Sequence, residues 1–346
     1  MKIVLDPRNR MLYASYYIYG MRKVAGRRNV GYSLKPFKDL ERRKEESSFD
    51  HYMAFVVNEG GEDIKIVIDY WDLRGISNEA YQWCDVYAKI NIPFDVNMED
   101  YPKLYSIPPG YGIRADNIFT VGWLCVANYL RCHCNPLKSL RSHLYDYYAS
   151  YRGKEPLTYY YSKDDNKSKY VFLVSTLWPH DNCKKTTNPL RLAFMKTCIN
   201  NPEVEFEGGF YVMGGDAPEE FRELSFTKMV PKQEYLKKIK RSVVVFNTPA
   251  VHDCHGWKLG EYLAMGKCII STPISNRLPA ELIDHKHIFV VNNPDEMKDA
   301  VTILLNDKKF REEMSLNSYD YYTKYVEPSA LFRNVLAFYK SRKESQ

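Results

Sequence analysis

From Tyr170 to Leu305 the chain alternates apolar runs of strand length with amphipathic runs of helix length, and this alternation restricts the fold more than any other feature. The runs are YVFLVST, LRLAFMKTC, EVEFEGGFYVM, QEYLKKIKR, SVVVFNT, a helix within GWKLGEYLAMG, CIIST, IFVV and PDEMKDAVTILL. Strands separated by helices pair in parallel and bury both sheet faces under helices, which predicts a Rossmann-like doubly wound unit. Helical stretches at 307–324 and 328–343 close the chain without a further strand.

The first half opens the same way, with KIVLD, LYASYYIYGMRKVAG and NVGYSL reading as strand, helix and strand. Further strands are expected at HYMAFVV, IKIVIDY and VYAKINI, with a short helix at SNEAYQW and a turn at IPPGYGI. Residues 116–150 read as mostly helical. A chain of 346 residues exceeds the usual size of one core. The expected class is therefore α/β with two Rossmann-like domains and C-terminal helices. The domains are 1–155 and 170–325, joined by a polar linker at 156–169, and a terminal helix at 326–346 packs back on the first domain.

Several classes are excluded. The three-glycine dinucleotide fingerprint after a first strand is missing from both halves, and so is the phosphate loop ending in glycine, lysine and a hydroxyl residue. No two aspartates are separated by a single residue, so a required metal is not expected. Cys132, His133, Cys134 and His143 carry the side chains zinc prefers, but adjacent helical residues diverge by about 100°. Helix cysteines and surface histidines are the simpler reading.

The eight cysteines are too sparse for a disulfide scaffold, and MKIVLDPRNR has no apolar signal core. A reducing, cytoplasmic location is expected. The apolar run Ile118–Leu130 is too short to span a bilayer. A net charge of +6 permits an anionic ligand without demanding one.

The stretch DCHGWKLGEYLAMGKCIISTP, residues 253–273, holds the densest chemistry. A helix beginning after His255 and Gly256 presents the N–H groups of Gly256, Trp257, Lys258 and Leu259 at the end of SVVVFNT. Those donors and the helix dipole favour a phosphate or diphosphate. Gly256 lets an anion approach the backbone, Lys258 adds charge, and Glu261 is placed to accept from vicinal hydroxyls such as those of a ribose. A turn glycine and a glutamate paired with a neighbouring lysine are the competing reading.

Asp253, seven intervening residues, Glu261 and the run EYLAMGKCIISTP resemble the signature of retaining GT-B glycosyltransferases of the group 1 type. FTKMVPKQEYLKKIKRSVVVFNTPA is similar to the segment preceding that signature, and the likeness spans about Tyr170 to Leu305. The resemblance implies two Rossmann-like domains facing a cleft, and a nucleotide-sugar donor bound mainly by the second. It implies that Glu261 takes the ribose and Asp253 the donor sugar. The backbone from His255 through Gly256, Trp257 and Lys258 to Leu259 takes the diphosphate, and Met229, Val230 and Pro231 flank the base. Lys184 and Lys185, with Arg191 behind them, are the nearest basic candidates for the phosphates. Asp253 and Lys258 are the catalytic candidates.

Two departures reshape the sugar side. The first acid is Asp, and Cys-His follows it where Gly-Phe is usual. DPRNRMLY also replaces the glycine-rich loop after the first strand. In such a family the enzyme stabilises the departing nucleoside diphosphate electrostatically, and the leaving phosphate serves as base. His51 and Asp69 are two of many first-domain groups that would otherwise be considered. No cofactor is implied beyond the nucleotide sugar as substrate.

Gly110 and Tyr111 in IPPGYGI are acceptor-side candidates by position. The aromatic and basic region with Arg131, Lys138, Arg141, Arg152 and Lys154 suits peripheral contact with an anionic membrane face, while core packing explains its apolar part equally well. The expected activity is transfer to a glycan or lipid-linked acceptor in surface polysaccharide or glycoconjugate synthesis, with no nucleic-acid partner. A non-hydrolysing sugar-nucleotide epimerase and a non-catalytic binding protein are the alternatives.

Overall fold

Residues 1–42, 51–132, 139–161 and 169–344 are described by the computed structural model. His133, Cys134 and Lys138, and residues 162–168 of the expected linker, lie outside the described residues. Two units emerge, one from Met1–Leu157, Arg277–Pro279 and Lys324–Gln346, the other from Thr158–Asn276 and Ala280–Thr323.

The first unit is built on a six-stranded sheet of order β2-β1-β3-β4-β5-β6. Its strands are β1 (Lys2–Leu5), β2 (Val30–Tyr32), β3 (Tyr52–Glu59), β4 (Glu62–Asp69), β5 (Val86–Lys89) and β6 (Leu104–Ser106). The helix α1 (Met11–Ala25) makes the expected parallel crossover from β1 to β2. The sheet is not parallel throughout, because β3 runs antiparallel to both β1 and β4. The cause is local: Gly60 and Gly61, both at positive φ, form a tight turn between β3 and β4 that leaves no room for a crossover helix. Sequence patterning missed β6, whose three residues are too few to show a period.

Three helices follow in this unit: α2 (Asn78–Trp83), α3 (Ile118–Arg131) and α4 (Leu140–Tyr151). The segment standing where a glycine-rich loop is usual is an ionic knot. Asp6 is fully buried, takes both backbone and side-chain N–H groups of Arg8, and lies 3.3 Å from Arg42. Asn9 exchanges two 3.0 Å hydrogen bonds with the backbone of Ala54 and so ties the loop to β3.

A one-turn helix, α5 (Leu157–Tyr160), opens the second unit. There β7 (Tyr170–Thr176), β8 (Glu205–Tyr211) and β9 (Ser225–Phe226) form one parallel sheet, and β10 (Val245–Asn247), β11 (Ile269–Ser271) and β12 (Phe289–Val290) another. The two meet where Val243 N–H donates to Tyr170 O and Phe172 N–H to Ser242 Oγ, each at 2.8 Å. The strands thus run in the order β9-β8-β7-β10-β11-β12, and the chain reverses direction of travel between β7 and β10. In a doubly wound sheet the carboxyl ends of the strands at such a switch point frame the ligand crevice.

The helices α6 (Asn188–Ile199), α7 (Lys232–Arg241), α8 (Trp257–Ala264), α9 (Pro294–Asn306) and α10 (Lys308–Tyr321) cover the sheet. The core includes Phe194 stacked on Phe246 at 4.5 Å, with Leu173, Phe210, Ile270 and Leu304 around them. The first glycine pair of GGFYVMGGD has a packing cause. A Cβ on Gly208 would stand 1.9 Å from the Leu173 carbonyl oxygen, and one on Gly209 2.2 Å from that of Leu224.

The last helix, α11 (Pro328–Glu344), belongs to the first unit and crosses α1 at Gly20, where a Cβ would stand 2.1 Å from Pro328 O. Tyr16 Oη donates to Val326 O at 2.7 Å beside that crossing.

Candidate functional site

Strand β10 ends at Asn247, and the chain from Thr248 to Gly256 is wound tightly before α8 begins. His252 and Asp253 both adopt left-handed backbone angles, with φ of 55° and 57°. Such consecutive non-glycine residues hold strain that the surroundings must over-determine. Here the clamp is visible: the Asp253 carbonyl oxygen accepts from Ser275 Oγ and Asn276 Nδ2, each at 2.7 Å, and its Oδ1 accepts from Asn182 Nδ2 at 3.3 Å. The imidazoles of His180 and His252 meet edge to face at 5.3 Å beside it. These groups were not visible in the sequence as partners, since Asn182 and Asp253 are far apart along the chain.

His255 is buried and lines a small recess with Asn247, Thr248, Pro249, Gly256 and Ser275. Gly256 caps α8 with φ of −74°, and a Cβ there would make only an ordinary 3.7 Å contact with Ala250. Neither the turn nor the packing therefore requires a glycine at 256. Trp257 opens α8, and Leu259 is buried in the core as expected.

Lys258 extends back to β7, where its ammonium donates to the Val174 carbonyl oxygen. Arg191, on α6, is buried at 6% exposure; its Nε donates to Thr248 Oγ1 at 2.9 Å, and its Nη1 has no partner among the described residues. The two cations sit close enough to disturb each other. Burial first, and then Arg191, push the Lys258 ammonium down to about 7, with Glu261 opposing and Lys232 adding to the fall. Burial likewise lowers the Arg191 guanidinium to about 10.

Glu261 is buried and forms an ion pair with Lys232, the first residue of α7. The ammonium of Lys232 also lies 4.7 Å from the ring centre of Tyr235. The lysine partner of the competing reading of Glu261 is thus present, while Glu261 also stands among the cations near the strand ends. Lys232 itself escaped the sequence reading, although it directly follows Pro231 in the VPKQEYL segment that was singled out.

The cluster of Arg191, Lys232 and Lys258 against Glu261 holds more cationic groups than acids. In contrast, Lys184 and Lys185 lie exposed on a π-helical turn, Cys183–Thr187, that leads into α6. Arg191, one to two turns further on, is the basic group that this region sends inward. Met229 and Pro231 are exposed and Val230 half-buried; Pro231 caps α7 and accepts from Tyr235 N at 2.9 Å.

The first-unit candidates sit in packed surroundings. Tyr111 is 2% exposed and packs on Tyr16 at 4.8 Å, and a Cβ on Gly110 would lie 2.9 Å from the same ring. Their positions in IPPGYGI are explained by this packing. Asp69 accepts from Tyr87 Oη, Lys89 Nζ and Trp71 N–H at 2.6, 2.9 and 2.8 Å, which ties its carboxylate into the interior. His51 stacks on Trp71 at 3.9 Å, and burial pushes its imidazole down to about 4. Cys132 is buried, and His143 Nε2 lies 2.9 Å from Cys125 O.

Comparison with known proteins bears on the second unit most directly. Residues 193–334 match the family model described as glycosyl transferase-like. No curated protein matches the chain. Among solved structures, the chain is similar to the C-terminal domain of a glycosyl transferase group 1 family protein (LpcC) from Francisella tularensis, at 16% identity over 49% of this chain and 96% of that one, with a TM-score of 0.35. It is also similar to a mutant of S. aureus TarM in complex with fondaparinux, α-GlcNAc-glycerol and UDP, at 13% identity over 75% and 44% of the two chains and a TM-score of 0.44. An α,α-trehalose-phosphate synthase (UDP-forming) from Burkholderia vietnamiensis matches at 13% identity over 78% and 65%, with a TM-score of 0.43. The chain thus spans less than two thirds of the latter two proteins.

Proposed function

We propose that this protein, a glycosyl transferase-like chain through residues 193–334, moves a sugar from a nucleoside-diphosphate donor to a glycan or lipid-linked acceptor. The observation that carries the reading is the excess of cationic groups at the switch point, with Arg191 buried and Lys232 and Lys258 half-buried. Arg191 has a guanidinium nitrogen without a partner among the described residues, beside a Lys258 whose own charge is suppressed. A buried guanidinium and a half-buried ammonium in that state favour an anion that takes both, and a diphosphate supplies the charge and the acceptor atoms. The N–H groups that open α8 point the helix dipole at the same place. The 256 position, where the protein itself does not need a glycine, leaves that approach open.

In this reading Arg191 and Lys258 hold the diphosphate, and they counter the charge that grows on it as the glycosidic bond to the donor breaks. Glu261 turns from Lys232 toward the ribose hydroxyls, Asp253 in its strained turn contacts the sugar, and Met229, Val230 and Pro231 flank the base. Lys184 and Lys185 contribute through long-range attraction. Retention of configuration, no metal requirement and a role in surface polysaccharide or glycoconjugate synthesis complete the proposal.

Calorimetric titration with nucleoside diphosphates and with inorganic diphosphate tests it. Glu261→Ala is expected to weaken nucleoside diphosphate binding by about 10- to 100-fold, the worth of charged hydrogen bonds to the ribose. Binding of inorganic diphosphate, which has no ribose, should stay the same or tighten as a negative charge leaves the cluster. Equal losses for both ligands, or none, would reduce Glu261 to the partner of Lys232. Release of nucleoside diphosphate only when an acceptor pool is added supports transfer; epimerised nucleotide sugar without acceptor would point to the other enzyme class.

A pH dependence follows with a definite sign. Below about pH 7 Lys258 is charged with or without ligand, so binding moves no proton there. Above that value the free protein holds the neutral amine, and a bound diphosphate restores the ammonium. Binding then takes up as much as about one proton, and affinity falls by up to about tenfold per pH unit on the alkaline side. Calorimetry in buffers of different ionisation enthalpy measures the uptake. Absence of proton uptake near pH 8 would remove Lys258 from the anion site.

A further inference from the structure

The helices α3 and α4 in the first unit are turned inside out relative to an ordinary surface pair. Their buried faces carry satisfied polar groups beside Val121 and Cys125: Asn128 Nδ2 donates to Tyr147 Oη at 2.8 Å, and Asp146 accepts the Met11 and Leu12 N–H groups at 2.7 and 3.3 Å. Their solvent faces are apolar. Phe119, Trp123, Val126 and Leu130 follow one another at spacings of four, three and four along α3, with exposures of 86, 70, 56 and 62%. Leu140, Leu144, Tyr145 and Tyr148 on α4 are also exposed.

A stripe of this spacing occupies one helix face, and a water-facing stripe with two large aromatic rings signals a surface that is covered in use. The charges around it indicate by what. Every acid between Arg114 and Glu155 is turned inward: Asp116 is held by Arg22 and Arg27 at 2.5 and 2.6 Å, and Asp146 and Glu155 are buried. Arg131, Arg141 and Arg152 are exposed. Among the described residues of 114–155, the face therefore offers apolar and aromatic groups with exposed arginines and no exposed acid. A second copy of the chain seated on it by a two-fold axis would bring these arginines toward their own images, which disfavours association.

We infer that the α3–α4 face lies on an anionic phospholipid surface. Phe119, Trp123, Val126 and Leu130 enter the boundary between headgroups and acyl chains, and Arg131, Arg141 and Arg152 reach the lipid phosphates, their stems lying along the apolar layer. No helix among the described residues is long and apolar enough to cross a membrane, so the contact is one of lying on the surface. This inference is independent of the donor site and stands or falls separately from it.

The test is co-sedimentation of the full chain with phosphatidylcholine vesicles, with and without phosphatidylglycerol. Partition is expected to rise with phosphatidylglycerol, by about fivefold per arginine engaged, and to weaken with added salt. A blue shift of tryptophan emission on binding should be largely lost in Trp123→Phe. The double change Phe119→Glu with Trp123→Glu should lower partition at least about tenfold without altering nucleoside diphosphate binding. Should that variant fail to fold, Arg141→Glu with Arg152→Glu, at exposed positions, gives the same reading. The inference is overturned if the wild-type chain stays in solution with phosphatidylglycerol vesicles, or if the folded variants bind as well as wild type. It is also overturned if the variants abolish a dimer seen by sedimentation instead of vesicle binding.

Discussion

Arg191→Ala is expected to weaken the binding of both nucleoside diphosphates and inorganic diphosphate by about 10- to 100-fold, the range for a buried charged hydrogen-bond donor. Its effect on folding should be small by comparison. The side chain makes a 2.9 Å bond to Thr248 Oγ1 and a 3.4 Å contact to Pro249 O, and the loss of these is offset by removal of a cation buried without a carboxylate partner. Because Arg191 is, after burial, the largest influence depressing Lys258, the variant should also shift proton uptake on binding to higher pH. That double signature separates a ligand-facing arginine from one that merely props β10. A stability loss with unchanged diphosphate affinity would assign Arg191 to packing and take away the observation on which the donor site rests.

The second large effect concerns folding rather than ligand. Asp6 neutralises two arginines inside the first unit, Arg8 and Arg42, whose side chains are 3% and 2% exposed. Asp6→Ala leaves both cations buried without their carboxylate, and removal of one partner from a buried ionic group costs about 3–5 kcal/mol. It also removes the acceptor for the Arg8 N–H at 2.9 Å, which shapes the turn between β1 and α1. Urea unfolding followed by the fluorescence of Trp71 and Trp83, both in this unit, measures the loss. A change below about 1 kcal/mol would mean that the arginines escape to water when the acid is gone, so that the knot is not a buried one.

Much of the second unit was legible in the primary structure, and the reason is periodicity. Runs such as YVFLVST and SVVVFNT have the length and composition of buried strands, and LRLAFMKTC and QEYLKKIKR repeat on the helical period; those properties survive whatever packs against them. The helix start after Gly256 was legible for the same reason. The first unit resisted where a short element carries no period, as in β6. It also resisted where a tight turn replaces a crossover, as at Gly60 and Gly61 between β3 and β4. The three residues Arg277–Pro279 could not be assigned to the first unit from sequence either. Their attachment rests on Arg277 N–H donating to Ile92 O at 2.7 Å, and nothing local encodes that.

Asp253, Lys258 and Glu261 could be singled out as candidates because they share one short segment, whereas Arg191 and Lys232 join them only through strand order. Placing β7 beside β10 brings Lys258 onto Val174 and Arg191 onto Thr248, and it gives Glu261 the first lysine of α7. Tyr111 shows the converse: its loop position suggested a ligand contact, and the ring packing of Tyr16 gives it an interior place. The α3 segment is the clearest division between the two levels. The chain alone determined a helix rich in Trp, Phe and Leu, because spacing fixes which side chains share a face. Only the tertiary structure decided that this face looks outward, because inside and outside are set by the polar groups across the packing, Asn128 with Tyr147 and Asp146 with the start of α1, which claim the interior instead.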